Sequence, residues 1–447
     1  MENDRSPQLP PKFVFGIKGE DLFEALCSEY FLYEGFKAVR RNGGSAGIDL
    51  QTIQDFEANL KKELQDLRDE LEDWTYEPRP VRRVEILKPD GVGVRLLGIP
   101  CIRDRVVQAT IKALIEPLLD PQFSKHSYGF RPGKNQRQAV EAAQEIVQGR
   151  GKEIVVDIDL SKFFDRINHD RLIYRLSERI SDKRILRLIG KTLRSGIMEN
   201  GTVKPTNEGS IQGSPLSPIL SNVVLDELDK ELESRGLEFC RFADDCNIFV
   251  KTKKSGQRVM GSVRKFIERK LKLVVNEEKS KVARTSEVKF LGMTIVEGMI
   301  AISKKSYLKA MKVVKELTPR GTNLKLEATI EEINKWYRGW SQYYSMTQFP
   351  AQFGAIEAHI RRRLRARLVD QQKKRRNLFR KLKQRGVSHK MAAKAAFSNK
   401  KRWALSHTRA VEKAFPNKWF IQEMGLFIRS KEAHPHWNDR NMWVSLT

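Results

Sequence analysis

The chain has 447 residues, enough for roughly three domains at about 150 residues each. Its 40% hydrophobic and 9% aromatic content excludes a mainly disordered polymer. Lys and Arg together number 83 against 56 Asp and Glu, a formal charge of +27, which points to a polyanionic partner, most often nucleic acid.

One long charge-free run, Gly209 to Leu225, has 17 residues and contains two Gly, two Pro, a Gln and an Asn. No bilayer-spanning helix has that composition, and no membrane partner is expected. The N-terminal MENDRSPQLPPKF has neither a basic start nor an apolar stretch, so no secretory signal is expected. Cys27, Cys101, Cys240 and Cys246 form no C-x-x-C pair. Neither a disulfide framework nor a four-cysteine zinc site is expected, and a reducing cytoplasm fits.

In chain order, residues 55–73 place Phe56, Leu60, Leu64, Leu67 and Leu71 at 3–4 spacing, which predicts an amphipathic helix. VRRVEIL and VRLLGIP around KPDGVG predict a hairpin. Pro121, Gly129, Pro132 and Gly133 mark a loop before a helix in NQRQAVEAAQEIVQ. EIVVDIDL at 153–160 reads as a strand. Two helices follow from Asn168, the second with Ser181 as its cap and Gly196 as its stop. The loop GSIQGSPLSP runs into a helix. LEFCRF and CNIFVK then form a hairpin with Asp244 and Asp245 at or near its turn. A basic helix, a strand around VKFLG and a helix over 325–345 come next, and Pro350 breaks the pattern before a basic tail. Strands and helices mix without a βαβ rhythm, which predicts an α+β fold with helical additions.

Residues 361–447 hold 24 Lys and Arg against 5 Asp and Glu, whereas the first 360 carry a net charge of only +8. RRRLRARL (361–368) and KKRRNLFRKLKQR (373–385) interleave apolar and basic residues at helical spacing. A solvated helix face is the ordinary reading of such runs. So much unscreened like charge favours phosphate binding instead.

Side chains alternate along a strand, so Asp157 and Asp159 share a face while Ile154, Val156 and Ile158 turn to the core. Carboxylates are scarce in apolar strands because burying an unpaired charge is costly. Two of them about 4 Å apart repel by ~1 kcal/mol in water and ~4 kcal/mol at an effective dielectric of 20. A divalent cation converts that repulsion into ligation, and carboxylate oxygens suit Mg²⁺. One Asp-Asp pair alone is normally a solvated turn; an aspartate-bearing strand, an apolar-flanked Asp-Asp hairpin and a strongly basic chain together are not.

DIDLSKFFD (157–165), QGSPLSP (212–218) and FADD (242–245) resemble the palm signatures of a reverse transcriptase. With VRRVEILKPDGVGVRLLGIP, YGFRPG (128–133) and VKFLG (288–292), the set is similar to group II intron-encoded and group II-like bacterial enzymes. The likeness covers about residues 20–345 and is weaker in the basic tail. It implies a right-hand polymerase: N-terminal extension and fingers over 1–150, an antiparallel palm over 151–300, an α-helical thumb (the maturase domain) over 301–360, and a basic nucleic-acid-binding tail over 361–447.

The resemblance also implies roles. Asp159, Asp244 and Asp245 would be the catalytic metal ligands, with the Leu160 carbonyl as a further ligand and Asp157 as an electrostatic neighbour. The ions would be two Mg²⁺, with Mn²⁺ as a substitute. Phe164 would block a ribose 2′-hydroxyl and so select dNTPs. Lys88 and Arg95 would pair triphosphate oxygens, and Gln212 and Gly213 would lie under the incoming nucleotide. Lys279 would protonate pyrophosphate, with Lys281 as a rival. Arg361, Arg362, Arg363, Arg365, Lys373, Lys374, Arg375 and Arg376 would contact nucleic acid. Expected partners are an RNA template, a DNA or RNA primer, dNTPs and a structured intron RNA. Trp336, Tyr337, Trp340, Tyr343 and Tyr344 share one helical face and read mainly as core.

Phe242 stands where the family usually has Tyr, and Ser214 where it commonly has Gly. The zinc-associated endonuclease that many of the family carry is not expected, and with it no independent cleavage of a DNA target. The rivals are a domesticated enzyme of DNA repair or defence, an RNA-binding maturase without required polymerisation, and an RNA-dependent RNA polymerase. The three aspartates argue against the second, and Phe164 disfavours the third.

Overall fold

The computed structural model describes residues 21–87, 93–199, 201–319 and 321–430. They form two compact units that divide between Arg284 and Thr285. The first contains two four-stranded sheets. In one, β1 (Val81–Leu87) and β2 (Val94–Ile99) make the expected antiparallel hairpin, and β1 runs parallel to β4 (Ile197–Glu199), which pairs with β5 (Thr202–Lys204). The other is antiparallel throughout, in the order β6-β7-β3-β8: Glu238–Phe242, Asp245–Val250, Ile154–Ile158 and Lys281–Arg284.

β3 is central because it is apolar on the face that meets the helices. Val156 and Ile158 share a core with Phe239 and Ile248 of the neighbouring strands and with Ile219, Leu220 and Val223 of helix Ser217–Ser234. Val263 and Ile267 close that core from the helix Lys253–Phe266 and the π turn after it.

Local departures from the sequence reading have physical causes. The helix expected over 55–73 is two, Ile53–Ala58 and Leu60–Glu72, because Asn59 leaves helical geometry at φ −117°. The cap of helix Lys183–Leu193 is Asp182, not Ser181; its carboxylate accepts from the Arg184 and Phe23 amides and so satisfies two donors at once. VKFLG is a turn rather than a strand. Leu291 and Gly292 both take positive φ, and the strand β9 begins only at Met293.

In the second unit β9 (Met293–Val296) pairs with β10 (Met299–Ile302), and helices follow. Helix Ala351–Asp370 runs unbroken through residue 360. Its Ile356, Ile360 and Leu364 share one core with Ile330, Ile333 and Tyr337 and with Leu378, Leu382 and Val411. In the aromatic stripe of helix Leu326–Tyr343, Tyr337 is buried in that core, and Trp336, Trp340 and Tyr344 are partly buried against it, Trp340 lying 5.8 Å from Trp336 and 4.6 Å from Tyr344 between ring centres. Among the described residues, no helix is long and apolar enough to cross a membrane.

Candidate active site

The ladder between β3 and β7 pairs Ile158 with Cys246, so one step further Asp159 leaves the sheet beside Asp245. Phe242 pairs with Asp245 and closes a two-residue turn, Ala243–Asp244. The hairpin and the central strand thus deliver Asp159, Asp244 and Asp245 to one end of the sheet.

Hydrogen bonds fix the first and last of these. The Asp159 amide donates to Ser280 Oγ at 3.0 Å, and its carbonyl accepts from the Asn276 amide at 2.9 Å. Leu160 bridges to Val275, and the Ser161 amide donates to the Val274 carbonyl at 2.8 Å. The segment 274–280 therefore clamps the strand end while the Asp159 side chain stays 43% exposed. Asp245 Oδ1 accepts from Asn247 Nδ2 at 3.2 Å.

Electrostatics at this end favour a cation. The Asp244 carboxyl is pushed above its ordinary value chiefly by burial, with the Asp159 charge adding to it and Arg95 among the groups opposing. Asp157 is pushed up to about 6 by burial, with Asp159 adding and Lys281, its partner across the β3–β8 ladder, opposing. Lys279 Nζ stands 4.0 Å from Asp159 Oδ1. The two lysines thus face different carboxylates, Lys279 toward Asp159 and Lys281 toward Asp157. Among the described residues, no three or more His, Cys, Asp or Glu side chains are grouped so as to hold a metal ion. An open carboxylate face still suits a hard divalent ion that keeps waters and substrate oxygens in its shell.

The loop with Gln212 and Gly213 docks on the β1–β2 hairpin. Gly98 N–H donates to the Gln212 carbonyl at 2.9 Å, and Gly213, at φ +113°, would place a Cβ 2.8 Å from the Gly98 carbonyl. A cavity of about 260 Å³ beside this junction is lined by Arg83, Leu96, Gly98, Asp165, Ser210 and Gln212. Phe164 lies next to it: its carbonyl accepts from the Ser210 amide at 2.7 Å, and its half-buried ring meets Phe163 edge-on at 5.2 Å. Ser214 is buried and donates to Gln108 Oε1 at 2.7 Å, so its hydroxyl has a structural use. The Phe242 ring is 6.4 Å from that of Phe130. Lys88, His434 and His436 lie outside the described residues.

Sequence reasoning missed the support beneath the acidic turn. Arg241 is wholly buried and uses all five guanidinium N–H groups. It donates to both Asp229 oxygens (2.7 and 2.6 Å), to Asn222 Oδ1 (3.0 Å), to Ser127 Oγ (2.8 Å) and to the Ala243 carbonyl (2.8 Å). Burial works against its charge, and the Asp229 carboxylate overrides that and holds it protonated. Asn222 Nδ2 meanwhile donates to the Gly129 carbonyl at 2.9 Å. The signal was available: an arginine in the apolar strand LEFCRF demands a partner by the same logic that singled out the aspartates. Asn222 and Asp229 sit seven residues apart, on one helix face.

The basic residues of the tail divide. Lys373, Lys374, Arg375 and Arg376 are exposed, and Arg361, Arg362 and Arg363 are half-buried. Arg363 donates to Thr318 Oγ1 at 2.7 Å. Arg365 is buried and donates to the Phe415 carbonyl at 2.8 Å and to Asn417 Oδ1 at 2.6 Å.

Residues 86–295 match the family model "Reverse transcriptase (RNA-dependent DNA polymerase)", and residues 308–386 match "Group II intron, maturase-specific domain". Protein YkfC of Escherichia coli is 33% identical over 307 residues, covering 60% of this chain and 78% of that protein. Group II intron-encoded protein LtrA of Lactococcus lactis is 32% identical over 270 residues, covering 58% of this chain and 42% of that one. Nuclear intron maturase 2 of Arabidopsis thaliana is 26% identical over 179 residues, covering 31% and 24% respectively.

Proposed function

Because the chain belongs to the reverse transcriptases that carry a group II intron maturase-specific domain, we propose that it extends a primer 3′-hydroxyl with dNTPs on an RNA template and binds a structured intron RNA as a splicing maturase. The observation that carries the polymerase reading is the ladder that sets Asp159 beside Asp245, with Asp244 in the adjoining turn.

In this reading Asp159, Asp244 and Asp245, with the Leu160 carbonyl, would hold two Mg²⁺ ions. Such ions, when bound, supply charge neutralisation at the attacking and leaving oxygens. The burial of Asp244 and its repulsion by Asp159 support the assignment, since both are relieved by a cation. Arg95, whose charge acts on Asp244, pairs the triphosphate with Lys88 as pyrophosphate departs. Lys279 holds a proton near Asp159 for the leaving group. Phe164, whose carbonyl accepts from the amide of Ser210 in the wall of that cavity, excludes a 2′-hydroxyl. Fingers, palm, thumb and tail follow the divisions at about residues 150, 300 and 360, with thumb and tail packed on a common core. The exposed Lys373, Lys374, Arg375 and Arg376 track phosphates.

The test is primer extension on an RNA template with Mg²⁺, comparing dNTPs with rNTPs in wild type and Asp244→Asn. Extension by wild type with dNTPs alone, abolished in the variant, is the expected result. Absence of extension in wild type, with RNA binding intact, would move the function to a non-polymerising maturase.

A further inference from the structure

Between Gln371 and Val411 the chain has fourteen Lys and Arg and not one Asp or Glu. These residues are ordered. They include the helices Arg375–Gln384, His389–Ala396 and Arg402–Leu405, anchored through Leu378, Leu382, Ala392, Ala395 and Leu405 in the core of the second unit. The like charges therefore stand on a fixed surface, where Lys390, Lys394, Lys400 and Lys401 are exposed.

Phe397, at the end of helix His389–Ala396, lies within this surface and is 51% exposed. Its ring centre is 6.0 Å from that of Phe379, which in turn meets His389 edge-on at 5.2 Å. Supported on one side, Phe397 leaves much of its surface to solvent. Trp403, in the same stretch, is different: the Arg362 guanidinium sits 4.2 Å from its ring centre and His359 lies 5.7 Å away. Isolated exposed phenylalanines are common. A braced aromatic ring in a lysine-rich stretch that carries no acidic residue of its own combines the two features that hold unpaired nucleic acid, cations for the backbone and a π-face for a base. Duplexes satisfy only the first, because their bases are stacked on one another.

We infer that Phe397 stacks on an unpaired base of a nucleic-acid strand whose phosphates lie against Lys394, Lys400 and Lys401. This rests on the nucleic-acid reading of the basic tail and adds the strandedness of its ligand and the residue that reads it.

The test uses the full chain and two fluorescent probes of equal length, an oligothymidylate and its abasic counterpart, which has the same phosphates but no bases. Phe397→Leu keeps an apolar contact with Phe379 and removes the ring. The variant should weaken oligothymidylate binding about 5- to 100-fold, the range of one base–aromatic stack, and leave the abasic probe unchanged. Phe397→Trp should keep the preference, while Lys400→Gln with Lys401→Gln should weaken both probes alike. Unaltered oligothymidylate affinity in Phe397→Leu, or equal losses on both probes, would overturn the stacking role with nucleic-acid binding intact. Failure of wild type to bind either probe would overturn it by removing the basic-tail reading beneath it.

Discussion

Arg241 Nη1 donates to the carbonyl of Ala243 across 2.8 Å, one residue before Asp244. Ala243 takes φ +56°, a conformation that a residue with a side chain enters only when the surroundings enforce it. The guanidinium, fixed at its other end by both oxygens of Asp229, supplies part of that enforcement. Lysine keeps the charge but has three donors rather than five and no planar fork. Arg241→Lys should therefore remain folded, yet lower kcat for primer extension by up to about 100-fold, the cost of displacing a reacting group by roughly 1 Å. KM for dNTP should move much less. Asp229→Ala leaves the buried cation unpaired and should cost about 3–5 kcal/mol of stability. Steady-state kinetics with a denaturant melt separates the two effects. An Arg241→Lys enzyme with wild-type kcat would remove the clasp from the account.

Gly129 also lies close against the same turn. A Cβ there would lie 2.3 Å from the Ala243 amide nitrogen and 3.0 Å from the Phe242 carbonyl carbon, both backbone atoms that cannot swing aside. Gly129→Ala should destabilise the first unit by about 1–3 kcal/mol, as overpacking does, and depress extension through the displaced aspartates. Gly149 is the contrast. It lies within helix Gln136–Arg150 with nothing within 4 Å of an added Cβ. Gly149→Ala should stabilise by about 0.4–1 kcal/mol. Thermal melts of both variants check the pair.

What the sequence disclosed follows from which interactions are local. The β1–β2 hairpin, the aspartate-bearing β3 and the hairpin that carries Asp244 and Asp245 were legible because alternation and turn chemistry act over a few residues. The clasp joining Ser127, Asn222, Asp229 and Arg241 was not, since its members lie up to 114 positions apart and only the fold unites them. Position in a basic run also failed to separate roles. Arg365 and Arg376 look alike in sequence, but helix phase turns the first inward to the Phe415 carbonyl and leaves the second in solvent. VKFLG misled as a strand because its apolar residues serve a turn with two consecutive positive-φ positions.

Asp104 is buried, accepts from Tyr76 Oη at 2.8 Å and from the Arg79 amide at 3.1 Å, and is pushed up to about 6 chiefly by burial. A carboxyl raised in the folded state binds its proton there at pH values where the unfolded chain has released it. Its stabilising contribution is thus full below about pH 4 and is lost as pH rises through about 6. The stability difference between wild type and Asp104→Asn should shift against wild type by up to about 3 kcal/mol between pH 4 and pH 7. Urea melts at several pH values measure it, and a pH-independent difference would contradict the assignment.

The exposed basic cluster and the buried arginine of the tail should respond differently to salt. Replacing Lys373, Lys374, Arg375 and Arg376 with Gln removes charges that face solvent. If each contacts one phosphate, the slope of log K against log salt for duplex DNA should become shallower by about 0.9 per contact, or up to about 3.6 for the four. Arg365→Gln breaks bonds to Phe415 and Asn417 inside the fold. It should lower the melting temperature of the second unit and leave the slope of the surviving folded protein as it was. Binding titrations from low to high salt distinguish them, because a charge that never met a phosphate releases no counterion when removed. A quadruple variant with the wild-type slope would move the phosphate contacts to another part of the chain.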